Sequence, residues 1–143
     1  MKLIDANLLL YAVNADAPLH GQAKSWLEGA LSGNETVAFS WAVLLAFIRL
    51  TTRPGLLRHA LPPETALDLV AAWLDQPTAT VIHPGPGHVP ILRDLLSAVG
   101  TAGNLTMDAH LAALAIEHGC ELCSNDADFS RFPGLKWTNP LKR

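Results

Sequence analysis

Three aspartates stand where an uncompensated charge is costly. Asp5 follows the apolar pair Leu3-Ile4 and precedes Ala6-Asn7-Leu8-Leu9-Leu10. Asp108 opens the apolar helical pattern from Met107 to His118, and Asp126 closes the segment Cys120-Glu121-Leu122-Cys123-Ser124-Asn125. Carboxylates at the ends of core-forming elements are expensive to desolvate unless a cation pairs with them. Apart from Lys2, no Lys or Arg adjoins any of the three. A shared divalent cation is the economical explanation. A small set of hard oxygen ligands suits magnesium or manganese, which keep several waters and need few carboxylates. Each aspartate also has a plainer reading: Asp5 as a helix cap, Asp108 as a partner of the helix dipole, Asp126 as an Asx-turn residue. Those readings weaken together, because independent caps need not converge on one edge.

The elements that must position these residues follow from periodicity and stop signals. Leu3 to Asp5 reads as a buried strand that turns directly into a helix from Ala6 to Val13. Ala17-Pro18 opens a helix from Leu19 to Leu31, with Ala23, Trp26, Leu27, Ala30 and Leu31 on one stripe. Thr36 to Phe39 is a strand, and Ser40 is the expected N-cap of a helix from Trp41 to Thr52. Pro62-Pro63-Glu64 starts a helix to about Leu74, Thr78 to His83 alternates as a strand, and His88 to Val99 is helical. Gly100 to Asn104 is expected to be flexible. Thr106 is expected to cap a helix that runs to His118 and stops at Gly119. The strand Glu121 to Ser124, a short turn at Asp128 to Arg131 and an edge strand at Leu135-Lys136-Trp137 complete the chain.

Strands alternate with helices throughout, and this predicts a mainly parallel sheet covered on both faces. The fold class is α/β, a three-layer α/β/α sandwich, and residues 1–143 are expected to form a single domain. In such sheets ligands collect beyond the carboxyl ends of strands, where strand order reverses. Asp5 and Asp126 are both expected at such ends, and Asp108 in the first turn of a helix that can begin at the same edge.

The 143 residues are 50% hydrophobic and 16% charged, outside the disordered range. A net charge of −3 gives no global footprint for nucleic acid, so any such contact must be local. Asp5 comes too early for a signal peptide, and no apolar run reaches membrane-spanning length, so a cytoplasmic location is expected. Cys120 and Cys123 have Cys-x-x-Cys spacing. They fall in a strand rather than at a helix N-terminus, so they are expected to be two small buried hydrophobes and not a redox pair.

Several pieces of the chain carry a resemblance. They are Leu3-Ile4-Asp5-Ala6-Asn7, then Thr106-Met107-Asp108-Ala109-His110-Leu111-Ala112-Ala113-Leu114-Ala115, then Ser124-Asn125-Asp126-Ala127-Asp128-Phe129. Phe132-Pro133-Gly134-Leu135 and Trp137-Thr138-Asn139-Pro140-Leu141 follow in order. The set resembles the PIN-domain family, in particular VapC-type toxins of type II toxin–antitoxin pairs. The resemblance implies a PIN-like fold and a magnesium- or manganese-dependent endoribonuclease. Asp5 and Asp108 match the family's main metal-binding acids, and Asp126 matches its further C-terminal acid. Asn7 and Ser124 match polar supporting positions, and Asp128 is a candidate extra carboxylate. The resemblance further implies a small VapB-type antitoxin and a homodimer. There is one departure: Ala46-Phe47-Ile48-Arg49 stands where the family has a pattern like Glu-Leu-x-Arg, so one carboxylate is missing. Glu35 comes too early in the chain to replace it.

Binding RNA beside an acidic edge requires cations. Arg49, Arg53 and Arg131 are the candidate phosphate contacts, ahead of Arg93 and Lys136. Trp41, Trp73 and Trp137 could stack on bases, though core positions are expected for Trp26 and Trp73. His110, two residues from Asp108, is expected to face elsewhere on the helix and to be structural or peripheral. Two other functions compete. The loss of Glu at Ala46 suits a degenerate domain that binds RNA or a protein without cutting. A metal-dependent phosphatase or small-molecule hydrolase is the other, but the first strand lacks the Asp-x-Asp pair such an enzyme would use.

Overall fold

The computed structural model describes residues 1–141. Its centre is a five-stranded sheet, all parallel, built from β1 (Lys2–Ile4), β2 (Val37–Phe39), β3 (Ala79–Val81), β4 (Glu121–Cys123) and β5 (Trp137–Thr138). The spatial order is β3-β2-β1-β4-β5. Leu3 pairs with Ala38 on one side and Leu122 on the other, so β1 is the middle strand. All of β2 is buried, as are Leu3, Ile4, Leu122 and Cys123. That is the pattern of a sheet covered on both faces rather than one.

The helices are α1 (Ala6–Val13), α2 (His20–Leu31), α3 (Trp41–Thr52), α4 (Pro63–Leu74), α5 (His88–Val99) and α6 (Thr106–His118). α1 packs on α2 and α3, and α3 on α4. α5 and α6 pack on each other. These are the two covering layers of an α/β/α sandwich. The chain runs outward from β1 to β2 and β3, then crosses back over to β4 on the opposite side of β1. Strand order therefore reverses at the β1/β4 boundary, which makes the space beyond their carboxyl ends the crevice of the fold.

Local chemistry explains most element ends. The Ser40 hydroxyl accepts the Val43 N–H at 3.3 Å and starts α3. Gly119 stops α6 at φ 67°, a left-handed conformation that costs a residue with a Cβ about 1–2 kcal/mol. Two expectations need correction. Thr106 does not cap α6 with its side chain: it is the first helical residue, and Leu105 before it makes no side-chain cap bond. The reason lies in Gly103–Leu105, which overlaps the Gly100 to Asn104 stretch expected to be flexible but winds as a 3-10 turn directly into α6. The last strand is also displaced, from Leu135 to Trp137 onto Trp137–Thr138.

Phe39, Phe47, Leu44 and Leu114 are fully buried, each worth roughly 1.5–3 kcal/mol of apolar burial. Trp26 and Trp73 are half-buried against this core, with Trp73 edge-on to Phe47 at 4.9 Å between centroids. Cys120 and Cys123 are buried and unbridged. Burial pushes both thiols up, Cys123 to about 12, so neither is a thiolate near neutral pH. Among the described residues no helix is long and apolar enough to cross a membrane.

Candidate metal centre

Asp5 leaves β1 at its carboxyl end and becomes the N-cap of α1. Its backbone N–H still donates to Cys123 of β4 at 3.0 Å, which anchors the carboxylate at the β1/β4 boundary. Oδ1 accepts the Ala6 N–H at 2.7 Å, and Oδ2 accepts the Ser124 hydroxyl at 2.7 Å and the Asn7 amide at 3.3 Å. Ser124, fully buried just past β4, also accepts from Asn7 Nδ2 at 3.1 Å and from the Asp126 N–H at 3.0 Å. One hydroxyl thus joins Asp5, Asn7 and the turn carrying Asp126. Asn7 Oδ1 accepts the Asn125 N–H at 3.2 Å, and Trp137 Nε1 donates to the Ser124 carbonyl at 3.1 Å. The edge strand therefore holds the turn from the other side.

Asp126 begins a 3-10 turn, Ala127–Arg131, and its Oδ1 accepts the Asp128 N–H at 2.9 Å. That Asx geometry folds Asp128 back alongside Asp126. Asp108 reaches the same place from the first turn of α6. Carboxylate oxygens of Asp108, Asp126 and Asp128 lie within 4.8 Å of one another. Asp5 stands outside that trio but lines the same cavity as Asp108.

The electrostatics follow from the crowding. Burial, then Asp126, Asp5 and Asp128, push the Asp108 carboxyl up to about 6. Asp5 is raised as well, chiefly by burial and further by Asp126, against the lowering effect of the Ser124 and Ala6 hydrogen bonds. Among the described residues, no Lys or Arg forms an ion pair with any of the four. Three clustered carboxylates, a fourth beside them and no cationic partner make a donor set that fits a hard divalent ion.

The adjoining cavity, about 200 Å³, is lined by α3 on one side and by Asp5, Asp108 and His110 on the other. Ala46 forms part of its wall, so the missing glutamate is missing at the site itself. Arg49, one turn further along α3, also lines it and is exposed. Arg53 and Arg131 are exposed and do not line it. Glu35 is at the opposite edge of the sheet, held at 2.8 Å by Lys2.

One expectation was wrong and one group was missed. His110 does not turn away from Asp108, since both line the cavity. Met107, Asp108, His110 and Leu111, which do not share one face of α6, all line it. His110 Nδ1 pairs with His88 Nε2 at 2.9 Å, and Glu117 takes the N–H groups of Gly85 and Gly87 at 2.8 Å each. A sequence signal for this existed: His110 and Glu117 are seven residues apart, on one face of the helix.

This chain belongs to the PIN domain family, whose model matches residues 2–135. Its relatives include Ribonuclease VapC37 of Mycobacterium tuberculosis, 50% identical over 98% of this chain and 97% of that protein. Ribonuclease VapC33 of the same organism is 40% identical over 99% of each chain. Among solved structures, VapBC2 from Rickettsia felis bound to a promoter DNA fragment superposes with a TM-score of 0.73 at 20% identity, over 96% of this chain and 97% of that one. Mycobacterium tuberculosis VapC20, a sarcin-ricin loop cleaving toxin, gives 0.69 at 22% identity, over 95% and 99%. At these identities the structures speak to the fold alone.

Proposed function

We propose that this chain is a metal-dependent endoribonuclease and the toxin of a VapBC-type pair, acting in the cytoplasm. The observation that carries the reading is the trio of clustered aspartates with Asp5 beside it, without a cationic partner among the described residues, at the crevice of a PIN fold. Kinship with VapC ribonucleases over almost the full length of both chains supports it. Asp108, Asp126 and Asp5 would hold the ion, with Asp128 alongside, and Mg2+ is the ion favoured by the all-oxygen donor set, with Mn2+ able to replace it. When bound, such an ion polarises a phosphate oxygen and activates water for phosphodiester hydrolysis.

The chain's own residues supply the rest. Ser124 and Asn7 fix the Asp5 carboxylate by donating to Oδ2, so it needs no reorganisation when substrate arrives. Asp126 orients Asp128 through the Asx turn. Arg49 faces the cavity from α3 and is placed to hold an RNA phosphate, while Arg53 and Arg131 extend the cationic path outside it. Asp108, raised to about 6 without an ion, must lose its proton before it ligates, so ion binding weakens as pH falls through that range.

A small VapB-type antitoxin and a second copy of the chain are the proposed partners. Trp41 and Leu45 on α3 and Met107 on α6 are 45%, 58% and 60% exposed, an apolar rim beside the cavity for a protein partner to cover.

The test is cleavage of a mixed RNA pool by the purified chain with Mg2+, with Mn2+ and with excess chelator. Cleavage with either metal that chelation abolishes is the expected result. Metal binding without cleavage of any RNA would instead favour the degenerate, binding-only reading raised by Ala46. Hydrolysis of nucleotide monoesters with RNA left intact would favour the phosphatase.

A further inference from the structure

The His88–His110 pair lies beside the acids and is not needed to hold a metal. His88, at the start of α5, is 8% exposed. Its Nε2 meets His110 Nδ1 at 2.9 Å, the rings edge-on at 70°. Its Nδ1 is buried without a hydrogen-bond partner and lies 4.0 Å from Glu117 Oε1. Glu117 cannot swing freely, because it is fastened by the Gly85 and Gly87 N–H groups. The loop comes so close that a Cβ on Gly85 would fall 2.8 Å from Oε2.

This arrangement selects a tautomer. A bare Nδ1 lone pair aimed at a fixed carboxylate is repelled, whereas an Nδ1–H is attracted. A neutral His88 with its proton on Nδ1 has a bare Nε2. His110 Nδ1–H must then donate to it. One proton remains for the neutral His110 ring, so its Nε2 is a bare acceptor. Among the described residues that nitrogen has no hydrogen-bond partner, and it is not among the buried unsatisfied atoms, while His110 lines the cavity with Asp5, Asp108 and Arg49.

We propose that His110 Nε2 accepts a hydrogen bond from the ribose 2′-hydroxyl of a nucleotide next to the scissile phosphate, and so makes the site selective for RNA over DNA. An acceptor suits this task. A phosphate oxygen offers no proton to it, whereas the 2′-hydroxyl is the donor that RNA has and DNA lacks. Glu117 and His88 are positioning residues, acting only through the tautomer and orientation of His110. The inference rests on the ribonuclease reading of the same site.

The experiment walks a single 2′-deoxy substitution along a short oligoribonucleotide that the chain cuts once, at pH 8 with Mg2+. At one position beside the cut, the wild type loses roughly tenfold in kcat/KM, the size of one neutral hydrogen bond. His110→Phe, which keeps a ring of similar bulk, loses about the same factor on all-RNA and shows no further loss from deoxy substitution there. His88→Leu shifts the ribo/deoxy ratio in the same direction but less. Nitrogen-15 spectra of the imidazoles show Nδ1 protonated and Nε2 bare on His110. Full ribo/deoxy discrimination in His110→Phe, or a proton on His110 Nε2, overturns the inference. If the wild type binds RNA without cutting it, the ribonuclease reading fails alone and the same walk is scored on affinity. If it neither binds nor cuts RNA, both fall.

Discussion

The two edges of the sheet treat their carboxylates in opposite ways. At the amino edge, Glu35 has Lys2 at 2.8 Å and the terminal amine at 3.7 Å, and its carboxyl is held below the usual range mainly by the Lys2 hydrogen bond. At the carboxyl edge, Asp108, Asp126 and Asp128 crowd together with Asp5 beside them and no such partner among the described residues, and Asp108 rises to about 6. Both edges belong to one small fold and draw on the same few cations. The difference shows that the acidic crowding is local, set where the strand order reverses.

The largest expected effect separates the edges by activity. Asp108→Asn or Asp126→Asn lowers RNA cleavage by about a hundredfold or more, whereas Glu35→Gln leaves it within about twofold. An equal loss at both edges would mean that the acids act through overall charge or folding.

Restoring the missing carboxylate is the next strongest probe. Ala46→Glu places a further acid on the cavity wall, tightens divalent-ion binding by roughly tenfold and lowers the metal-free Tm. Unchanged affinity would put that wall beyond the ion's reach.

Ser124→Ala removes the hydroxyl that joins Asp5 to the Asp126 turn. It leaves Asp5 Oδ2 short of its best donor and should destabilise the protein by about 1–3 kcal/mol, measured by denaturant unfolding. A change below about 0.5 kcal/mol would show that Asn7 can hold the carboxylate alone.

The smallest effect is in the pH dependence of metal-free stability, where the two edges have opposite sign. Below pH 3.8 Asp108 is protonated in folded and unfolded chains and costs nothing. Between 3.8 and about 6 the unfolded chain releases the proton while the folded chain retains it, so stability falls as pH rises and the full cost is present above about 6. Glu35, with a lowered pKa, contributes stability above its ordinary range and loses it as pH falls. Asp108→Asn should therefore raise the metal-free Tm by a few degrees at pH 7.5, for about 1 kcal/mol once solvent screening is allowed for. The gain should vanish below pH 4, and a gain independent of pH would point to packing instead.

Much of this was legible in the chain itself. The alternation of short apolar runs with amphipathic segments predicts the parallel sheet, and Asp5 and Asp126 fall at strand ends by simple counting. Ser40 and Gly119 act as their chemistry predicts. What escaped depends on which distant residues meet. His88 faces His110 across 22 positions and Ser124 faces Asp5 across 119, and no local pattern encodes either meeting. Thr106 misled because Thr is a good cap, yet the 3-10 turn before it removed the need for one. Ala46 is the opposite case: its absence of charge was visible in sequence, and only the cavity shows that the gap lies against the metal site.

Calorimetric titration of the purified chain with Mg2+ and Mn2+, at pH 8 and at pH 5, tests the central claim most directly. Saturable binding at pH 8 that weakens sharply at pH 5 and is lost in Asp108→Asn is the predicted result. Binding of equal strength at both pH values, or retained in Asp108→Asn, would contradict a metal centre at the carboxyl edge.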